Sequence, residues 1–71
     1  MAENVYNVVE LVGTSTESWE RAAEAAVRRA SETLRDLRVA EVVKLDLTVQ
    51  EGQVTSYRAR LKLSFKHKSG R

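Results

Sequence analysis

The feature that most constrains this chain is its C-terminal half, where two long stretches alternate between apolar and polar residues. Val42 to Val49 and Thr55 to Phe65 each repeat with a period of two, the spacing of β-strands that present two different faces. Glu51-Gly52-Gln53 lies between the two stretches and supplies turn residues. The sequence therefore predicts one long antiparallel hairpin, whose apolar face must be covered by something else.

The alternation assigns each hairpin side chain to one of two faces. The first strand is predicted to have an apolar row and a partly polar row, Val43, Leu45, Leu47 and Val49 against Val42, Lys44, Asp46 and Thr48. The second strand has a mostly apolar row and a basic row, Thr55, Tyr57, Ala59, Leu61, Leu63 and Phe65 against Ser56, Arg58, Arg60, Lys62, Ser64 and Lys66. We expect Lys44, Asp46 and the basic row to share the outer sheet face.

The N-terminal half predicts a strand followed by a helix. Val5 to Val12 alternates, with Val5, Val9 and Leu11 on one side. The stretch Gly13-Thr14-Ser15-Thr16 interrupts that pattern, and Thr14 with Glu17 has the spacing of a capping box, so we expect the helix to begin here. Small and apolar residues then recur at helical spacing, at Trp19, Ala22, Ala23, Ala26, Val27, Ala30, Leu34 and Leu37. The alanines would let this helix lie close to a sheet.

Together these elements predict an α+β fold in the order β-α-β-β, a three-stranded antiparallel sheet wrapped on one helix. A right-handed crossover would place the third strand between the first and the second. We expect residues 1–71 to form a single domain, and a chain of this length buries only about 60% of its unfolded surface. Cysteine is absent and His67 is the only histidine, which excludes disulfides and the usual zinc ligand sets. Oligomerisation is the remaining common source of stability.

The residues give no support for catalysis. The chain has no glycine-rich phosphate loop, no HExxH, no GxSxG and no cysteine nucleophile, and we expect His67 to be exposed near the chain end. We therefore predict that the protein is not an enzyme. Met1-Ala2-Glu3-Asn4 does not resemble a signal peptide, and no apolar run is long enough to span a membrane, so we expect a cytoplasmic protein without a membrane partner.

The basic row of the last strand allows a nucleic-acid platform as a weaker hypothesis. Alternating cations on a sheet can follow phosphates, but single-strand recognition usually adds stacking rings on the same face. Tyr57 and Phe65 alternate with Arg58 and so should point to the opposite side. We therefore predict no nucleic-acid partner. We also interpret Trp19, the largest apolar side chain, as a packing anchor rather than a ligand-stacking residue.

The order of motifs along the chain resembles the dodecin family from about Val5 to Phe65. The matching features are Gly13-Thr14-Ser15, the alanine-rich helix, Ala40-Glu41-Val42-Val43 and the hairpin return at Ser56-Tyr57. This resemblance implies a hollow homododecamer with helices outside and sheets lining the interior. It also implies storage or protection of a flavin, FMN or riboflavin, without turnover.

Four positions depart from the pattern of flavin-binding members. Val39 stands where a tryptophan stacks on the flavin ring, and Arg58 replaces a glutamine that hydrogen-bonds it. Asp46 replaces an arginine common in bacterial members, and Lys44 replaces an acidic residue. We take these four residues as the diverged ligand-binding positions.

A smaller set of residues favours one branch of the family. Ser18-Trp19-Glu20 together with Arg38-Val39-Ala40 is closer to the calcium-dodecin-like branch, in which the flavin site is also unmade. The resemblance therefore implies sequestration of a small ligand or ion, with calcium as the candidate ion, Asp46 as the candidate metal ligand and flavin storage as the alternative. An ordinary surface ion pair of Asp46 with Lys44 or Arg58 is an equally acceptable interpretation.

Overall fold

A computed structural model describes residues 3–66 as one helix and one three-stranded sheet. The elements are β1 (Tyr6–Ser15), α1 (Trp19–Ser31), β2 (Leu37–Gln50) and β3 (Gln53–Lys66). Both neighbouring strand pairs are antiparallel, and the strand order is β1-β3-β2. The predicted α+β class, the β-α-β-β order and the central position of the third strand are confirmed. The predictions for His67 and for the end of the basic tail fall outside the described residues.

The core lies between α1 and the middle of the sheet. The buried apolar residues are Ala22, Ala26 and Ala30 of α1 and Ala59, Leu61 and Leu63 of β3. Val9, Leu11 and Gly13 of β1 share this side of the sheet, since they pair with Leu63, Leu61 and Ala59. We call this side the helix-covered face. The predicted small helical residues thus do form the contact with the sheet.

Gly13 allows the helix to approach β1 closely. A Cβ atom at this position would lie 2.0 Å from the Ala22 carbonyl oxygen, a backbone atom that cannot move aside without moving the helix. The sequence prediction of a break at Gly13 was wrong, because β1 continues through Ser15. The glycine is needed for close packing rather than for a turn. Val5, predicted to belong to the strand, precedes it and is exposed.

The ends of α1 differ from the predicted ones. Ser18 caps the helix, its Oγ accepting a hydrogen bond from the Arg21 amide at 3.0 Å. The predicted capping box of Thr14 and Glu17 was wrong, because Thr14 still has its place in β1. The helix ends at Ser31, before the predicted helical positions Leu34 and Leu37. Both leucines nevertheless pack against the core, from the loop and from the start of β2.

A two-residue turn joins the two strands of the hairpin, and the pairing of β2 with β3 has three register shifts. Glu51 and Gly52 have φ values of 53° and 77°, the left-handed pair that fits a tight hairpin turn. The shifts leave one extra residue each at Thr55, Val43 and Arg38. The shift at Val43 corrects the predicted rows, because Val42 pairs with Leu61 and so lies on the helix-covered side, apart from Lys44 and Asp46.

The helix covers β1 and β3 but scarcely reaches β2, and much of the hairpin is left bare. Large apolar side chains of β2 and the neighbouring part of β3 are exposed, at Val39, Val42, Val43, Leu45, Leu47, Val49 and Val54. The protomer measures 54 × 20 × 14 Å, far from spherical. Within residues 3–66, no helix has the length and apolar character to cross a membrane.

Candidate functional site

The face of the sheet turned away from α1 carries most of its charge, and we call it the helix-free face. Its acidic and basic side chains are Glu10, Glu41, Asp46, Lys44, Arg58, Arg60, Lys62 and Lys66. Its other members are Tyr6, Val8, Val12, Thr14, Val39, Thr48, Ser56 and Ser64. All four sequence-predicted binding positions, Val39, Lys44, Asp46 and Arg58, lie on this face.

Asp46 and Arg58 form a two-pronged ion pair across β2 and β3. Arg58 Nε donates to Asp46 Oδ1 at 2.7 Å, and a terminal guanidinium nitrogen donates to Oδ2 at 2.9 Å. The hydrogen bonds from Arg58 hold the pKa of the Asp46 carboxyl below its ordinary value, and the nearby charges of Lys44 and Arg60 act in the same direction. The ion pair considered as an alternative from the sequence is therefore present, and both carboxylate oxygens are engaged.

The next cross-strand row pairs two cations. Lys44 lies opposite Arg60, with Val12 on the far side of Arg60 in β1. Among the described residues, Arg60 has one ion pair, to Glu10 at 3.9 Å, which is too long for a hydrogen bond. Within residues 3–66, Lys44 makes no hydrogen bond and no ion pair shorter than 4.0 Å. Like charges directly opposite each other destabilise a sheet, so this row needs an explanation.

One row further along the sheet the charges alternate in sign. Lys62 lies between Glu10 of β1 and Glu41 of β2. A cation flanked by two carboxylates is the arrangement expected where side chains only stabilise the sheet surface. In the register, Lys62 thus has carboxylates as both cross-strand neighbours, whereas Lys44 has only Arg60 opposite it, although within residues 3–66 Lys62 itself makes no ion pair shorter than 4.0 Å.

Val39 lies far from the other three predicted positions. It pairs with Ser64, whereas Asp46 pairs with Arg58, and six residues of strand separate these partners by roughly 20 Å. Its side chain is 56% exposed. Lys44, Asp46 and Arg58 are thus close neighbours in one protomer, whereas Val39 could join them around a small ligand only through another copy of the chain.

The opposite surface fixes the backbone beneath Asp46. Trp19 Nε1 donates a hydrogen bond to the Asp46 carbonyl oxygen at 3.0 Å, and the Trp19 ring meets Tyr57 edge-on with centroids 5.2 Å apart. Trp19 is therefore a packing residue, as its position in the sequence predicted. Its contact holds β2 at the point where Asp46 and Arg58 meet.

Two further features of the helix-free face escaped the sequence analysis. The hydroxyl of Thr48 lies 2.6 Å from the hydroxyls of both Thr55 and Ser56, because the extra residue Thr55 turns toward that face. Tyr6 also places an exposed aromatic ring there, opposite Lys66. The alternation of the first strand already assigned Tyr6 to this side, so its ring could have been counted as a binding feature.

One protomer does not supply a calcium site. Calcium takes six to eight oxygen ligands, and within residues 3–66 no three acidic or histidine side chains come together as a metal-binding group. Asp46, the predicted ligand, already uses both oxygens to bind Arg58. The residues of a single chain therefore do not fit the ion that the family resemblance implies.

Comparison with known proteins agrees with this architecture. The family model described as Dodecin matches residues 5–68. A calcium dodecin of Mycobacterium tuberculosis is 44% identical over 63 residues, which cover 89% of each chain. A dodecin of Thermus thermophilus is 45% identical over 62 residues, covering 87% of this chain and 90% of that protein.

Solved structures give the same result in three dimensions. A dodecin from Streptomyces coelicolor superposes with a TM-score of 0.90 at 38% identity, over 99% of this chain and 100% of that one. The calcium dodecin of Mycobacterium tuberculosis, described as calcium-chelating with a novel calcium-binding site, gives 0.80 at 43% identity, over 94% and 96%. With a family model over nearly the whole chain and relatives this similar, the chain belongs to the dodecin family.

Proposed function

We propose that this chain is a non-catalytic binding protein that assembles with copies of itself into a closed homododecamer and sequesters a small ligand or ion. The observation that carries the proposal is the bare hairpin. A folded protomer that leaves so many large apolar residues in water has an incomplete core, and exposed apolar patches of this size mark interaction surfaces.

A groove beside the helix supports the proposal that a second copy of the chain covers this surface. It is an open groove of about 590 Å³ between α1 and the edge strand, and its apolar lining is Ala23, Val27, Ala40, Val42 and Leu61. The groove exists because α1 stops short of β2. An edge strand with unpaired backbone groups next to an apolar groove favours pairing with a neighbouring chain.

The helix-free face is the proposed place of binding. In a shell with the helices outside, this face lines the interior, where symmetry repeats each weak site. The face offers charged groups and hydroxyls rather than a nucleophile with an activating base, which favours holding a ligand over converting it.

Calcium is the ion that one relative supports, the calcium dodecin of Mycobacterium tuberculosis, and Asp46 is its proposed ligand in this chain. Because Arg58 holds both Asp46 oxygens in one protomer, calcium binding would require Arg58 to release the carboxylate and other copies to add oxygens. The calcium proposal therefore requires both a rearrangement of the Asp46–Arg58 pair and ligands from more than one copy of the chain.

Flavin binding is the second candidate, because the family's stacking position, Val39, lies exposed on the helix-free face. Val39 itself supplies no ring, so the stacking contact of flavin-binding members is missing. A stacked aromatic contact contributes about 1–3 kcal/mol, so Val39→Trp should raise riboflavin affinity about ten-fold or more.

Native mass spectrometry of wild type, Asp46→Asn and Val39→Trp, with calcium or riboflavin added, tests both ligands on assembled protein. Calcium bound by wild type and lost in Asp46→Asn would support the calcium proposal, and equal calcium occupancy in both would remove Asp46 from it. A gain of riboflavin in Val39→Trp would support the flavin proposal, and no gain would mean that the rest of the flavin site has diverged.

A further inference from the structure

Within residues 3–66, the Lys44–Arg60 row is the one place on the helix-free face where two cations lie directly opposite each other on neighbouring strands. Cross-strand partners have Cβ atoms about 5 Å apart, so the two charges repel each other in the protein alone. Nothing in the packing requires this arrangement, because both side chains lie on the side of the sheet away from the helix. The row is thus a small cost to stability that a bound ligand could offset.

The carboxylates around this row do not neutralise it. Asp46, next to Lys44 along β2, is fully engaged by the Arg58 fork. Glu10 is 3.9 Å from Arg60 and faces Lys62 in the register, so it is shared between two cations. Lys44 has no hydrogen-bond or ion-pair partner in the described part of the chain. The row therefore retains positive charge.

We propose that Lys44 and Arg60 form a binding site for an oxyanion of the phosphate type. The guanidinium of Arg60 presents parallel donors that match two oxygens of a phosphate, and the ammonium of Lys44 supplies a mobile point charge from the other strand. A doubly charged group matches two adjacent cations better than a single carboxylate does. The ligand class is a phosphate or a small phosphorylated molecule.

The same charges act against a cation at this place. Lys44 and Arg60 stand beside Asp46, so a calcium ion on Asp46 would lie within a few residues of three positive side chains. An oxyanion would instead be attracted by each of these positive charges. The proposal deepens the proposed function by naming the ligand class, and rests on it only in placing this face inside a shell.

Assembly would strengthen the site. Repeating the same positive row around a closed interior adds the potentials of all copies, and a concave surface of one sign concentrates counter-ions. The exposed Val12 in the same row would contact an apolar part of a phosphorylated ligand next to its charged group.

Inorganic phosphate, titrated calorimetrically into wild-type protein in phosphate-free buffer, tests the site, with acetate at matched ionic strength as the comparison. We expect phosphate to bind and acetate to bind at least about ten-fold more weakly, because one charge-assisted contact is lost. Lys44→Gln and Arg60→Gln should each weaken phosphate binding about ten-fold for the same reason. The matched control is Lys62→Gln, which removes a cation on the same face whose two cross-strand neighbours, Glu10 and Glu41, are carboxylates, and which should leave phosphate affinity nearly unchanged.

A second readout separates a binding role from a structural one. Without phosphate, Lys44→Gln should unfold at a higher temperature than wild type, because it removes the repulsion from Arg60, and phosphate should raise the Tm of wild type more than that of this variant. Equal weakening by Lys62→Gln, or no binding of phosphate to wild type, would overturn the proposal. Native mass spectra of the same samples report assembly separately. A dodecamer that does not bind phosphate would overturn only the phosphate site, and a monomer that binds phosphate would overturn only the proposed homododecamer.

Discussion

The two sides of the central strand β3 differ sharply in how well the protomer buries them. On the β1 side, α1 packs onto the sheet so closely that Gly13 has no room for a Cβ atom, and Ala59, Leu61 and Leu63 are buried. On the β2 side, Leu45 is 48% exposed and Val49 is 62% exposed although both belong to a regular strand. One half of the sheet forms the core, and the other half leaves its apolar side chains exposed, which the proposed contact with another copy would cover.

This difference shows that a single protomer does not bury all of its apolar residues. Its radius of gyration is 14.8 Å, compared with about 11 Å for a compact domain of the same length. The helix is too short to cover a hairpin of two 14-residue strands. If the proposed assembly forms, we expect folding and assembly to be coupled, since another copy would cover the bare half of the sheet.

Among the predictions, Gly13→Ala should cause the largest loss of stability, and it tests the covered half of the sheet, where α1 packs on β1 and β3. The added methyl would meet the Ala22 carbonyl, so the helix must shift, and we expect a loss of about 3 kcal/mol or more. Chemical denaturation monitored by circular dichroism measures this loss. Gly52→Ala is the matched control: its φ of 77° costs about 1 kcal/mol, but nothing lies within 4 Å of the new methyl. Equal losses in both variants would contradict the close-packing role of Gly13.

Leu45→Lys tests whether the bare half of the sheet, on the β2 side, is an interface between copies. In a lone protomer this exposed change should alter stability by no more than about 0.5 kcal/mol, but in an interface it buries a charge and should drive dissociation. Size-exclusion chromatography with light scattering measures the mass. Ala25→Lys, at an exposed position of α1, is the control and should leave the assembly intact. A Leu45→Lys variant that keeps the wild-type mass would show that this strand lies outside the interface.

The Asp46–Arg58 pair, which joins the two halves of the hairpin, should give the smallest effect, and a pH-dependent one. Because the pKa of Asp46 is lowered in the folded state, the pair stabilises the fold above the ordinary carboxyl pKa and loses that contribution as pH falls through the lowered value. The Tm of wild type should exceed that of Asp46→Asn at pH 7, and the gap should close as the pH falls below about 4. A gap that stays constant with pH would show that the charge of Asp46 contributes nothing to the difference in stability.

The covered half could be predicted from the sequence better than the bare half. The helical spacing of the alanines and the alternation of β3 from Ser56 to Lys66 predicted both faces correctly, since each pattern reports directly which side is buried. The prediction was wrong for Thr55, which was assigned to the apolar row but turns toward the helix-free face as the extra residue of a bulge. Gly13 was misinterpreted as a turn residue, because its conformation is ordinary and its reason is the approach of a helix from elsewhere in the chain. Such tertiary contacts leave no local signal.

The register of the hairpin was harder to predict. A turn at Glu51 and Gly52 pairs Gln50 with Gln53, and continued regularly it would place Asp46 opposite Tyr57. The extra residue Thr55 moves Asp46 opposite Arg58 and aligns the apolar rows of the two strands, so the ion pair depends on a bulge. The alternation predicted that Asp46, Lys44 and Arg58 share a face but could not give the partner of each. Whether other copies complete the site depends on contacts beyond a single chain.

Sedimentation velocity of the purified protein across a range of micromolar concentrations tests the central claim, that one protomer is an incomplete fold completed by its copies. The account predicts a single species with the mass of a dodecamer and no detectable folded monomer. A folded monomer at these concentrations, with the circular dichroism of an intact sheet and helix, would contradict it.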